Sequence, residues 1–243
     1  MSLRAPHEFA EDLDALEEIE RATLRFIAQG VWDLLPLAAQ QFGMIQTGTD
    51  TGDKANYVGE DVTRMALDRI GAPRVPDGRL FGAVDYKLAA YQFLPDFAVR
   101  QALFVDSKAE KNALNNMRVQ VTQTSLEIRQ ERSGQDMAVP GRIASVWILE
   151  EGDYLTTTAF VKYHYAQVEN ALRLREVTVV GLPNGFLQDR YNPTAQDGIW
   201  NAGPDAPTLG EKFRTRVNFT KLRAKAPWRV QKMRPGQAWE FST

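Results

Sequence analysis

Two short stretches of this 243-residue chain carry the side chains best suited to chemistry. One, Phe81-Gly82-Ala83-Val84-Asp85-Tyr86-Lys87, reaches Asp85 after an apolar run. The other, Leu103-Phe104-Val105-Asp106-Ser107-Lys108-Ala109-Glu110-Lys111, reaches Asp106 and Lys108 in the same way. A strand's two-residue period puts Leu103, Val105 and Ser107 on one face and Phe104, Asp106 and Lys108 on the other. A carboxylate and an ammonium then leave the same side of a strand end. Two carboxylates at neighbouring strand ends form a hard oxygen site suited to Mg²⁺, which keeps several of its waters. A metal held there lowers the pKa of a bound water and stabilises charge developing on a phosphate. Lys108 can orient or deprotonate that water, or hold the scissile phosphate. The Ser107 side chain turns into the core and leaves its backbone carbonyl as a further ligand. Phosphodiester hydrolysis is the reaction such a set supports. Taken alone, an Asp-x-Lys pair also fits a surface ion pair of little energetic value.

The elements that must position these groups follow from periodicity. Apolar residues at three- and four-residue steps predict a helix over 8–29, stopped by Gly30. The Gly-rich stretch 43–59 reads as a polar loop without a GxxxxGK[ST] phosphate-binding pattern. A second helix is expected over 59–70, with Glu60 and Asp61 at its start, where acids suit the helix dipole without any metal. Residues 79–88 and 101–109 read as strands joined by a loop containing Pro95-Asp96. Segment 109–134 reads as a helix or an extended arm. The runs 143–149, 157–165 and 177–182 are β-rich; between the last two, 167–175 is a short helix or a hairpin. After the loop-rich 183–210, residues 213–219 alternate again, with Arg214 and Arg216 on one face. The expected architecture is one α/β domain over 1–243 with a mixed central sheet flanked by helices. Its helical region is about 8–70, its core about 79–182, and a third region about 183–234.

Composition narrows the function classes. The chain has no cysteine, so a disulfide framework and a thiolate metal site are excluded. No apolar run approaches the roughly 20 residues of a membrane helix, and the N-terminus turns acidic where a signal peptide would turn apolar. A cytoplasmic protein is expected. His7 and His164 are the only histidines and suggest no zinc site, and there is no G-x-S-x-G nucleophile motif. Net charge is only −2, but its distribution is uneven. Acids crowd residues 8–20, and bases crowd 211–234, a segment suited to phosphates or to a solvated face.

The spacing of Asp85 from Asp106-x-Lys108 is that of the PD-(D/E)xK nuclease core. In the same order along the chain, the two stretches above, Lys111-Asn112, Arg190-Tyr191-Asn192-Pro193 and Ala226-Pro227-Trp228-Arg229 resemble stretches of SfiI-like type II restriction endonucleases, with BglI a more distant relative. Glu60-Asp61-Val62-Thr63, Phe160-Val161-Lys162-Tyr163-His164-Tyr165 and Arg214-Thr215-Arg216-Val217 are similar too. The resemblance implies a Mg²⁺-dependent enzyme that cuts both strands of DNA at an interrupted palindrome. Asp85 and Asp106 would be metal ligands with the Ser107 carbonyl, Lys108 the catalytic lysine, and Glu60 an acid reaching the metal through water. Arg214 and Arg216 would read guanines, about 6–7 Å apart along a strand, each bidentate pair discriminating by about 1–3 kcal/mol. Phosphate contact is the alternative for both. Lys212, Lys221, Arg223 and Arg229 would meet the DNA backbone. Palindromic double-stranded DNA asks for a homodimer or homotetramer, and a DNA methyltransferase would be the functional counterpart. Two rival readings use the same residues: a structure-specific repair nuclease, and a non-catalytic DNA-binding module. Segment 131–156 and the chain after Met233 match poorly, so tetramer formation is not carried over.

Overall fold

The computed structural model describes residues 2–75, 78–94, 96–111, 115–202 and 215–243. The N-terminal third is helical after a short strand β1 (Ser2–Leu3): α1 (Leu13–Asp33), α2 (Leu35–Met44) and α3 (Thr51–Asp68). Then come β2 (Tyr86–Phe93), β3 (Phe97–Glu110), β4 (Asn116–Val119), β5 (Ile128–Arg132), β6 (Gln135–Val139), β7 (Val146–Leu149), β8 (Gly152–Val168) and β9 (Ala171–Leu182). The chain closes with α4 (Gln188–Tyr191), β10 (Trp200–Ala202), β11 (Thr215–Asn218), α5 (Phe219–Lys225) and β12 (Val230–Met233).

The central sheet is mixed, as expected. Its order is β1-β3-β8-β9-β12, with β2 on β3 and β7 on β8. β3 and β8 run parallel; β2, β7, β9 and β12 join antiparallel. Parallel neighbours are covered on both faces, and β3 divides its side chains accordingly. Leu103 and Val105 enter the main core shared with the helices, while Ala102 and Phe104 pack in a second cluster with Leu80 and Ile143. Strand alternation around Asp106 is therefore as the pattern predicts.

Several boundaries differ from expectation. α1 does not stop at Gly30, which is buried against Ala66 of α3; it runs on to Asp33, and Pro36 in the first turn of α2 forces the break. The expected loop 43–59 is half helix, because α3 begins at Thr51, whose hydroxyl closes a turn with Gly48 at 2.6 Å. Glu60 and Asp61 thus sit in mid-helix, and the helix-dipole explanation for them fails. The strand expected from 79 begins only at Tyr86. Residues 79–85 form a loop around Gly82, whose φ of 152° suits glycine and whose Cβ position would lie 3.2 Å from the Thr122 carbonyl. Segment 109–134 is neither one helix nor one arm but β4, a 3₁₀ turn at Val121–Gln123 and β5. Residues 167–175 form a hairpin between β8 and β9, turning at Glu169 with φ 53°.

Candidate active site

The site forms at the start of β2, beyond which β3 continues. The last pair between them is Tyr86 with Val105, so the Ser107 N–H two residues on has no β2 partner. The Asp85 carboxylate takes that place, with Oδ2 accepting from Ser107 N–H at 2.6 Å. The N–H and C=O of one strand residue leave on the same side, so the Ser107 carbonyl opens toward Asp85 as well. Its hydroxyl is buried without a hydrogen-bond partner, beneath α3. Gly59 allows that approach: a Cβ there would lie 2.9 Å from the Tyr163 ring and 3.2 Å from Ser107 Oγ.

Asp106 is 4% exposed. Its Oδ1 accepts from Gln123 Nε2 at 3.2 Å, and Lys108 Nζ lies 2.5 Å from its Oδ2. At that distance the Lys108 ammonium occupies Oδ2 as a charge-assisted partner. Gln123 also donates to the Ala83 carbonyl at 2.6 Å and accepts from Gln120 N–H at 3.1 Å. One buried amide therefore fixes both Asp106 and the loop that delivers Asp85. The Gln120-x-x-Gln123 capping-box spacing marks a turn in the sequence; nothing there marks contact with Asp106.

The electrostatics follow from crowding three acids. Burial, partly offset by Lys108 and reinforced by Asp85 and then Glu60, pushes the Asp106 carboxyl up to about 6. Asp85 is open at its rim, yet the surrounding protein raises its carboxyl above the usual range, against the pull of Ser107 N–H and Lys108. Glu60 is raised by burial and then by Asp85 and Asp61. Its backbone carbonyl accepts from the Tyr86 hydroxyl at 2.8 Å, tying mid-α3 to the start of β2. Lys108 offsets part of this negative charge at Asp106 and Asp85. Among the described residues no three His, Asp or Glu side chains converge as a closed metal cage. Two hard carboxylates, the buried Asp106 and the exposed Asp85, instead fit an ion that keeps waters and takes further ligands from a substrate phosphate.

Beside this site stands a three-stranded ribbon, β10-β11-β4. Thr215, Val217, Met117 and Val119 face inward, while Arg216 pairs with Arg118 and Asn218 with Asn116 on the half-exposed face. Arg118 carries no signal of its own in the sequence; its place opposite Arg216 depends on a pairing nearly a hundred residues apart. Arg214 and Lys212 lie outside the described residues. Lys221 is half-exposed and Arg223 exposed on α5, whose first turn is capped by Asn218.

Arg229 is a correction. It is 0% exposed, its Nη2 meets Glu20 at 2.6 Å and Glu17 at 3.5 Å, and its guanidinium stacks on Tyr191 and Trp228. It cannot meet a DNA phosphate from there. Arg190 likewise binds Asp14 and Glu17, and the Tyr191 hydroxyl donates to Glu17. Acids of the N-terminal run and bases of the C-terminal half neutralise each other inside the fold, which linear charge counting does not reveal.

The mixed sheet with acids and a lysine at adjoining strand ends belongs to the restriction endonuclease class. The fold is similar to the tetrameric restriction endonuclease SfiI bound to cognate DNA, with TM-score 0.78 and 28% identity over 91% of this chain and 85% of that one. BglI bound to its DNA recognition sequence superposes with TM-score 0.73, at 15% identity over 96% of this chain and 95% of that one. At the level of sequence, the family model for the type II restriction enzyme SfiI matches residues 43–233. SfiI of Streptomyces fimbriatus is 32% identical over 233 residues, covering 91% of this chain and 85% of that protein. The chain belongs to the SfiI family of type II restriction enzymes.

Proposed function

We propose that this endonuclease makes Mg²⁺-dependent double-strand cuts at an interrupted palindrome in DNA, using Asp85, Asp106 and Lys108 as a PD-(D/E)xK set. The observation that carries this reading is Asp106: buried and raised to about 6, paired with Lys108 at 2.5 Å and pressed by a second acid, Asp85, at the adjoining strand end. Asp85, Asp106 and the Ser107 carbonyl would hold the ion, with Glu60 outside them through water. When bound, Mg²⁺ supplies a more acidic water and charge relief at the phosphate. Lys108, held by Asp106, points its ammonium where it can orient the attacking water or the scissile phosphate. Gln123 keeps the Asp106 carboxylate from rotating.

The ribbon would enter the major groove, which accepts a two-stranded β-ribbon. Arg216, Arg118 beside it and Arg214 would present guanidinium forks to bases or phosphates, and Lys212, Lys221 and Arg223 would meet the backbone. A two-fold palindrome is served by a homodimer or a larger assembly, one site per strand. We take residues 1–243 as a single domain, since one core cluster runs from Phe9 to Met233. We assign the protein to the cytoplasm, where a methyltransferase of matching specificity would protect host DNA; among the described residues no helix is long and apolar enough to cross a membrane. Digesting a sequenced plasmid with Mg²⁺ and mapping the ends tests this. A fixed sequence around every cut is expected; ends without a common sequence would overturn it.

A further inference from the structure

Lys162 is a buried ammonium that the cleavage chemistry leaves unused. It lies on β8 in register with Lys108 on β3, so both side chains leave the same sheet face. Like charges at such positions repel, and the two lysines are drawn apart by different acids of β3. Lys108 meets Asp106, while Lys162 Nζ meets Glu110 Oε2 at 3.1 Å. Lys162 is 2% exposed and also donates to the Asn116 backbone carbonyl at 2.8 Å, with the Phe219 ring 5.8 Å away. Asn116 opens β4, and its side-chain Oδ1 accepts from Arg216 Nη1 at 3.0 Å. Two bonds from one ammonium thus join the catalytic strand to the arginine-bearing ribbon, and one further bond reaches the arginine itself.

We infer that Lys162 is a positioning residue that locks the arginine ribbon to the catalytic strand, so that correct seating of Arg216 on its base sets the cleavage rate. The inference rests on the function proposed above. A buried ion pair contributes little net stability compared with its loss on one side only; its geometric value is to fix the register of two elements. A ribbon free to shift would still bind DNA through its bases and phosphate contacts, but would hold the catalytic strand less well aligned.

The test is single-turnover cleavage with Mg²⁺ of a cognate duplex and of one carrying a single base substitution. Lys162→Met combined with Glu110→Gln removes both charges without stranding either. The expected result is a limiting rate about 30-fold lower with half-saturating enzyme concentration changed less than about threefold. Discrimination between the two duplexes should fall about tenfold. Asn116→Ala, which leaves the buried pair intact, is the second variant and should lose discrimination to a similar degree. The inference is overturned if the double variant folds and keeps rate and discrimination within about twofold of the parent, or if rate falls only in step with binding. Should the double variant not fold, Lys162→Gln, which keeps a donor but loses the charge and the reach to both partners, replaces it, and unchanged rate and discrimination there overturn the inference equally. Lys108→Ala run in parallel separates the two readings: if it cleaves normally, the proposed active site is wrong; if it is inactive while Lys162 and Asn116 prove indifferent, only this inference falls.

Discussion

Two buried acid–base pairs in this molecule look alike on paper and differ in one respect that decides their roles. Arg229 with Glu20 and Glu17 is sealed from solvent: the guanidinium is fully buried between Tyr191 and Trp228 and, although its Nε and Nη1 have no hydrogen-bond partner among the described residues, none of these neighbours is exposed; Asn184 N–H also reaches Glu20 at 2.7 Å. Asp106 with Lys108 opens to solvent: Gln123 and Lys108 engage its two oxygens, a second acid presses on it, and Lys108 keeps part of its surface in solvent. A pair sealed from solvent holds elements together. A pair that opens to solvent beside a second acid has room for an ion and a substrate.

That contrast can be broken most severely at Lys108. Replacing it with alanine should lower the single-turnover cleavage rate by about 10³–10⁴-fold, in the range of a lost general acid–base group, with a smaller loss of stability than a sealed pair would show, since Asp106, already raised to about 6, can take up a proton. Arg229→Met should do the reverse. It strands Glu20 in the core and should cost about 3–5 kcal/mol in denaturant unfolding, with the surviving folded protein cleaving normally.

Asp106→Asn sharpens the same point through pH. The carboxyl has an ordinary value of 3.8 and is pushed up to about 6 by the fold. Between those values the folded state holds the proton more tightly, so the stability it contributes is full below pH 3.8 and is lost as pH rises through about 6. Without metal, Asp106→Asn should therefore stabilise the protein by about 1–3 kcal/mol at pH 7.5, less whatever Lys108 loses, and by nothing at pH 3.5. Unfolding curves at the two pH values measure it. The smallest effect belongs to Ser107→Ala: the hydroxyl is buried without a partner, so cleavage should stay within about twofold and stability should hold or rise slightly.

Much of the site was legible because it lies on a strand, where a period of two fixes faces without further information. Asp106, Lys108 and Ser107 are disposed as that period requires. Asp85 was legible as a residue but not as a conformation: it sits at the end of a loop shaped by Gly82 and the Thr122 carbonyl, a contact made across some forty residues. Glu60 reads as a helix start because Gly-rich 43–59 reads as a loop, yet tertiary packing against Tyr163 and Ser107 rewards glycine inside α3. Gln123, Arg118 and Lys162 gave no local signal, since their meaning lies wholly in partners distant in the chain. Arg229 misled for the same reason; a basic run shows charge, and only the fold shows which carboxylates have come to meet it.

The most direct measurement of the central claim is cleavage of one plasmid by the parent and by Asp106→Asn, each with Mg²⁺ and with the ion removed by a chelator. The account predicts cutting by the parent with Mg²⁺ alone, and none by Asp106→Asn in either condition although it is at least as stable. Cutting by Asp106→Asn at the parental rate, or by the parent with no divalent ion, would contradict it.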